Sequence, residues 1–351
     1  MRDVAIASFA QTKYVRNQIR LTEVEMLMPV VQEAIKLSGI PKQEIGFTCH
    51  GSSDYMAGQS FAFVGAVDAL GAFPPIAESH VEMDAAWALY EAWVKIQCGE
   101  CDSALVFGFG RASMGHLPET MNLQLDPYTL APLGLDAISM AALQARAMID
   151  AGRITEAQMA EIAVRNRAVA KSNPYAQVTG DFDAEKLLAE PTLVSPLRKH
   201  DCPPISDGVS AAVIVAGDAI GRGESKPVYI RGIDHRLDVH QLGSRDLTES
   251  PSTKLAGKRA GVHDGPVEFA ELHAPFTHQE AILVEALGLG SDVVLNPSGG
   301  ALAANPMMTA GLTRIGEAAS HIAAGKAGRG IAHATSGPCL QQNLVCVLEA
   351  E

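Results

Sequence analysis

An α/β protein of two similar halves, with a helical segment set into the first, is what this sequence predicts. Three observations carry that reading. Apolar helical stretches alternate with short buried runs; a helix–glycine–strand order recurs in the last third; and residues 110–195 break the rhythm with prolines and amphipathic helices. The composition agrees. Of 351 residues, 47% are hydrophobic and only 5% aromatic, with 32 glycines, which suits helices packed closely on a sheet better than a β-sandwich.

Residues 3–9 alternate as a short strand, and Thr22 to Leu37 carries apolar residues at helical spacing until Gly39-Ile-Pro41 stops it. Gln43 to Cys49 reads as a buried strand running into the polar loop His50-Gly-Ser-Ser-Asp54. A helix follows over Phe61–Leu70, then another over Asp84–Gln97, then a buried strand over Ser103–Gly108. This rhythm predicts a largely parallel sheet covered by helices. The order returns in Thr253–Arg259, Gly261 and Val267–Glu271, and again in Met307–Ala324, Gly325 and Gly330–Ala334. Val284-Glu-Ala-Leu-Gly288 echoes Val67-Asp-Ala-Leu-Gly71. A repeat this long signals a duplicated half rather than a solenoid. The expected division is 1–223 and 224–351, with Glu224–Pro227 as the linker and a helical cap over the sheet edge at about 110–195.

A formal charge of −13 argues against a nucleic-acid partner, which needs a cationic face. The N-terminus has no basic segment followed by a long apolar one, so a signal peptide is not expected. No apolar run reaches the roughly 18 residues of a spanning helix. Six cysteines are too few for a disulfide scaffold at this length. A cytoplasmic location is the expectation. Cys98-Gly-Glu-Cys101 has metal-ligand spacing, but one pair without a second predicts a helix end and no metal.

Three segments of the last quarter each join a buried run to small, kinked, polar residues: Glu271-Leu-His273-Ala-Pro-Phe276, Asn296-Pro-Ser-Gly-Gly-Ala-Leu-Ala-Ala-Asn305-Pro306 and Thr335-Ser-Gly-Pro-Cys339-Leu-Gln-Gln-Asn343. With Asp207-Gly-Val-Ser-Ala-Ala, they resemble the thiolase superfamily, specifically its sterol-carrier-protein-x and bacterial lipid-transfer branch. That branch carries Asp-Gly-Ala-Ala-Ala, Glu-Leu-His-Asp-Cys-Phe, Asn-Pro-Ser-Gly-Gly with Gly-His-Pro, and Leu-Gln-His-Asn in the same order. The resemblance covers nearly the whole chain. It implies duplicated βαβαβ halves forming a five-layered αβαβα sandwich with an inserted helical cap.

The departures from the family pattern are chemical. Where a thiolase has its nucleophilic cysteine, in Val-Glu-Ala-Ala-Cys-Ala-Ser-Gly, this chain reads Val81-Glu-Met-Asp-Ala85-Ala86-Trp87. A covalent acyl-cysteine is therefore not expected. Asn305 replaces the histidine of Gly-His-Pro, and Pro275 replaces the cysteine of Glu-Leu-His-Asp-Cys-Phe. The resemblance gives His273 an oxyanion-hole role, and Asn305 can also donate an N–H to a carbonyl oxygen. Asn305 and Asn296 can equally cap the turns before Pro306 and Pro297. Cys339 is either an acid/base on the site loop or a buried inert thiol; counting back from Glu349 places the family's second cysteine nearer Gly337. The expected set is thus His273, Asn305 and Cys339 for catalysis, with Asn296, Gly299, Gly300, Ser336 and Gly337 around the substrate. His50 occupies the loop equivalent to His273, and Asp84 is read as a helix N-cap more than as a base.

The resemblance implies an acyl-CoA substrate, with coenzyme A entering as part of that substrate and no covalently bound cofactor. Retro-aldol cleavage of a β-hydroxyacyl-CoA needs an oxyanion hole and a base but no acyl-cysteine. The alternatives are a non-catalytic subunit beside a thiolase-like paralogue and an acyl-CoA or lipid-binding module. Implied partners are a second copy or such a paralogue, and a small zinc-ribbon/OB-fold protein. Arg198, Lys199, Lys254, Lys258 and Arg259 are candidates for a local basic patch toward the CoA phosphates.

Overall fold

A computed structural model describes residues 1–351. Its first half runs β1 (Val4–Gln11), α1 (Glu23–Ser38), β2 (Phe47–Gly51), α2 (Asp54–Ala57), α3 (Ala62–Leu70), β3 (Ala77–Val81), α4 (Ala85–Gln97) and β4 (Ser103–Arg111). The inserted segment supplies α5 (Leu117–Leu123), α6 (Ala137–Asp150), α7 (Glu156–Val169) and α8 (Ala184–Ala189), then the small hairpin β5 (Thr192–Val194) and β6 (Leu197–Arg198). β7 (Asp207–Ala216) returns to the sheet. The remainder is β8 (Val228–Leu237), α9 (Pro251–Ala260), β9 (Phe269–Glu271), α10 (Thr277–Leu287), β10 (Val294–Leu295), α11 (Ala310–Ala323), β11 (Arg329–Ser336) and β12 (Gln342–Glu349).

The helix ends follow local chemistry. Thr22 and Glu25 form a capping box at the start of α1, and Gly39 closes that helix in the left-handed region. Gly71 and Gly288, the last letters of the two Ala-Leu-Gly matches, close α3 and α10 in the same way. The residues before β2 differ from expectation. Lys42–Glu44 forms a short 3-10 turn after Pro41, and the strand begins only at Phe47.

One ten-stranded sheet has the order β10-β9-β11-β12-β8-β1-β7-β4-β2-β3. Read inward from each edge, β3-β2-β4-β7-β1 mirrors β10-β9-β11-β12-β8, and the two meet where Ala5 and Ile6 pair with Tyr229 and Val228. The expectation of a largely parallel sheet needs correction. In each half the three outer strands are parallel, whereas β7 and β1, like β12 and β8, run antiparallel to their neighbours.

The sheet folds around α4 and α11, which share a central core with both halves through Leu89, Ile96, Leu312 and Ile315. α1 and α3 cover the outer face of the first half. On the far face, α9 and α10 share a core with Ala145 and Met148 of α6 and Met159 of α7. The layers are therefore helix, sheet, helix pair, sheet, helix: the thiolase-like α/β fold. The inserted helices thicken the outer layer of the second half rather than lying over a sheet edge. No helix is long and apolar enough to cross a membrane.

Candidate functional site

The polar loops that follow β9 and β10 converge with the end of β11. His273, two residues beyond β9, is buried, and its Nδ1 accepts a hydrogen bond from the Thr335 amide at 3.2 Å. An amide N–H can only donate, so the ring proton sits on Nε2. That nitrogen lies 2.9 Å from Oδ1 of Asn305 and donates to it. Burial drives the His273 pKa down to about 4, with the Asn305 contact opposing and the Arg314 guanidinium reinforcing the shift. The imidazole is neutral at physiological pH, and its one lone pair is occupied.

Asn305 is held at both ends. Its backbone N–H donates to the Ser206 hydroxyl at 3.0 Å, and its carbonyl oxygen takes the His273 proton. The side-chain Nδ2 makes no hydrogen bond within the chain and is not sealed from the surface. His273 thus fixes the Asn305 amide so that its donor edge points outward. Of the two side chains only the asparagine keeps an unbonded N–H, and the histidine holds its orientation.

Asn296 proves to be a bracket. It is buried; its Oδ1 accepts from the Leu272 amide at 2.7 Å and its Nδ2 donates one of its two hydrogens to Glu280 at 2.8 Å. Glu280 also accepts from Asn166 of α7 and pairs with Arg165, so one buried carboxylate ties the inserted helices to the site loop. Gly299 and Gly300 follow at φ 99° and 63°, and a Cβ on Gly300 would sit 2.9 Å from the Asn296 carboxamide. Below them, Glu271 accepts from the Ser298 amide and hydroxyl and from Arg314. Burial pushes the Glu271 carboxyl up to about 7, with Arg314 pulling against it.

Ser336 ends β11 beside Thr335, and Gly337 opens the turn at φ 74°. Cys339 lies in that turn but is directed at the inserted segment. Its Sγ donates to the Met140 carbonyl at 3.4 Å and packs with Leu125, Met140 and Leu242. Burial raises the thiol to about 12. Of the expected set, His273 and Asn305 touch each other, Asn296 and the glycines support them, and Cys339 belongs to neither group.

At the head of α4, Asp84 caps its own helix through Ala86 N–H at 2.8 Å and also accepts from Gly311 and Leu312 of α11 at 2.9 and 3.1 Å. Burial raises its pKa, and these donors oppose the shift. Ala85 is fully buried, and its N–H donates to the Met308 carbonyl at 2.9 Å, three residues past Asn305. A Cβ on Gly108 would come within 2.7 Å of the Ala85 methyl, so glycine there permits the close approach. Among the basic candidates, Arg198 is engaged with Glu156, whereas Lys199 and the α9 residues Lys254, Lys258 and Arg259 are exposed and unpaired.

Sequence reasoning missed Ser206, Thr335, Glu280 and the Glu271–Arg314 pair. Glu271 and Thr335 open two of the quoted segments but carried no assigned role, and Ser206, Glu280 and Arg314 left only a polar residue in an apolar stretch.

No family model matches the sequence. A 210-residue stretch is 28% identical to an acetyl-CoA acetyltransferase of Methanothermobacter thermautotrophicus, covering 53% of this chain and 55% of that one. Sterol carrier protein 2 of Gallus gallus is 24% identical over 358 residues, covering 90% of this chain and 65% of its own. The match thus spans about half the length of the first relative and just under two thirds of the second. Among solved structures, one titled "Ltp2-ChsH2(DUF35) aldolase" superposes with a TM-score of 0.81 at 19% identity, covering 99% of this chain and 98% of that one. The acetyl-CoA acetyltransferase of Bacillus anthracis superposes with a TM-score of 0.80 at 16% identity, covering 100% and 99%. These likenesses show the thiolase-like fold, and the curated relatives are thiolases and thiolase-like proteins.

Proposed function

We propose that this chain acts on acyl-CoA thioesters and cleaves a carbon–carbon bond of a β-hydroxyacyl-CoA by a retro-aldol route. The observation that carries the reading is the outward amide donor of Asn305, set by a neutral His273. In this step the β-hydroxyl loses its proton and becomes a carbonyl, and the Cα–Cβ bond breaks. Its electron pair passes to the thioester as an enolate, which is then protonated at Cα. No oxidant is required. Asn305 Nδ2 would stabilise the developing enolate oxygen. Ala85 at the head of α4 supports a route without an acyl-enzyme, because a methyl group cannot attack a thioester.

Neither His273, whose lone pair is engaged, nor Cys339, whose thiol is pushed to about 12, serves as the base. That observation favours a second reading: the chain works beside another subunit that completes the chemistry, a thiolase-like paralogue or a small zinc-ribbon/OB-fold partner. The neighbouring structure whose title names two components, Ltp2 and ChsH2(DUF35), supports such an assembly. Coenzyme A enters as part of the substrate, with the unpaired cations of α9 as candidate phosphate contacts. The test is incubation with β-hydroxyacyl-CoA, alone and with proteins co-purified from the native host. Aldehyde or ketone release that is lost in Asn305→Ala supports lyase activity. Robust CoA-dependent cleavage of a 3-ketoacyl-CoA would overturn it, and acyl-CoA binding without turnover in any assembly supports the binding role instead.

A further inference from the structure

The loop between β10 and α11 is gripped along its length by the inserted segment and by the connection that leads into β7. Asn173 Nδ2 donates to the Ser298 carbonyl at 3.1 Å, and the Gln177 and Val178 amides donate to the Ala303 carbonyl at 3.2 and 2.9 Å. The Ser206 hydroxyl accepts from the Asn305 amide. These contacts hold main-chain atoms. At the start of the loop the grip is made by side chains. Glu280 of α10 is buried; its Oε2 accepts from Asn296 Nδ2 at 2.8 Å and from Asn166 Nδ2 of α7 at 3.1 Å, and its Oε1 pairs with Arg165. A carboxylate only accepts, so all three donors fit around it. Asn296 has φ 50°, in the left-handed region that a Cβ disfavours, and its carboxamide bridges Glu280 to the Leu272 amide at 2.7 Å. Leu272 precedes His273, whose Nε2 lies 2.9 Å from Oδ1 of Asn305. Arg165, with 40% of its side chain exposed, is the solvent end of this series.

We infer that Glu280 is a positioning residue for the Asn305 donor, acting through Asn296 and the Leu272–His273 peptide, so that helix α7 of the outer layer takes part in setting the site. This deepens the reading above and rests on Asn305 as the group that meets the substrate oxygen. Without the carboxylate, the Asn296 carboxamide is free to turn, and the Leu272 amide loses an acceptor held in one place. The peptide that carries His273 then gains freedom, and the Asn305 amide no longer keeps one direction. A donor that must be reoriented in each turnover loses the benefit of preorganisation. What Asn296 requires of Glu280 is an acceptor oxygen and not a charge. One carboxylate oxygen already serves both asparagines, so glutamine can replace it there at the cost of the Arg165 pair.

Imidazole nitrogen-15 NMR on the full chain without substrate tests it, with circular dichroism confirming the fold and the His273 signal assigned by its loss in His273→Gln. In E280A the Nε2 proton of His273 should exchange with solvent at least about tenfold faster than in the parent, whereas E280Q should stay within about threefold. N296G removes the same link while leaving Glu280 paired, and its glycine accepts the left-handed conformation, so it carries the test if E280A does not fold. It should match E280A, and the double variant should exceed the stronger single change by no more than about twofold. In the lyase assay, E280A and N296G should lower kcat at least about tenfold with KM within about threefold. Unchanged proton exchange in a folded E280A or N296G overturns the inference, and so does an E280Q variant as impaired as E280A. A chain without lyase activity refutes the reading above, and the imidazole measurement still decides the role of Glu280.

Discussion

His273 gives its Nε2 proton to Oδ1 of Asn305 at 2.9 Å, and the Thr335 amide on Nδ1 leaves no other tautomer. The histidine therefore sets the orientation of the asparagine, and its one ring lone pair is engaged. In Asn305→Ala, cleavage should fall by about 100-fold or more in kcat, the usual cost of a lost oxyanion donor. His273→Gln, which keeps a donor for Asn305, should recover part of what His273→Ala loses, chiefly in kcat. Steady-state kinetics on β-hydroxyacyl-CoA decides it. An Asn305→Ala variant within a few-fold of the parent would remove the asparagine from the mechanism.

Cys339 is expected to be chemically silent. Its thiol is buried, raised to about 12 by desolvation, and donated to the Met140 carbonyl. Titration with a chromogenic disulfide at pH 8 should label Cys98, which is exposed, and spare Cys339 in the folded protein. Cys339→Ala should leave turnover within about twofold while costing on the order of 1 kcal/mol of stability. Rapid labelling of Cys339 would return it to the list of acid/base candidates.

Asp84 joins two helix heads, so its removal should be felt in both. Asp84→Ala leaves the Ala86, Gly311 and Leu312 amides without their acceptor. The expected loss is about 2–4 kcal/mol, larger than for a single exposed cap. Asp84→Asn keeps one acceptor oxygen and should cost less. Guanidinium unfolding measures both, and a loss below about 0.5 kcal/mol for Asp84→Ala would contradict the two-helix role.

Buried histidines make the fold acid-labile. Burial holds His50 and His273 at about 4, and His278 and His333 at about 3. An unfolded histidine titrates near 6.5, so the unfolded state takes up protons first as the pH falls. The stability these groups contribute is complete above about pH 6.5 and is lost as pH falls toward 4 and 3, at about 1.4 kcal/mol per pH unit for each. Melting temperature measured between pH 8 and 4 should drop below 6.5, and His333→Asn should flatten that slope. A melting temperature that is level down to pH 4 would show that these imidazoles are not neutral and buried.

Much of the architecture was legible because duplication leaves letters behind. Val67-Asp-Ala-Leu-Gly71 and Val284-Glu-Ala-Leu-Gly288 mark α3 and α10, and each glycine sits where a left-handed residue closes the helix. Strand direction was not legible. β4, β7, β11 and β12 are buried almost throughout, on both faces, so they lack the alternation that would mark an antiparallel strand with one solvated face. Asp84 could be recognised as the cap of α4 because its partner is two residues away, but its bonds to α11 span more than 200 positions.

The sequence by itself determined the fold class, the duplicated order of elements, and the residue types available at the site: an imidazole, two carboxamides and no thiol or hydroxyl at the head of α4. Those follow from local periodicity and short motifs. Only the tertiary structure decided what each group can do. Thr335 and Asn305 assign the His273 proton, Glu280 and Leu272 hold Asn296 in place, and Met140 turns Cys339 away. Protonation state and hydrogen-bond vacancy depend on burial and on partners distant in the chain, and no local pattern records either.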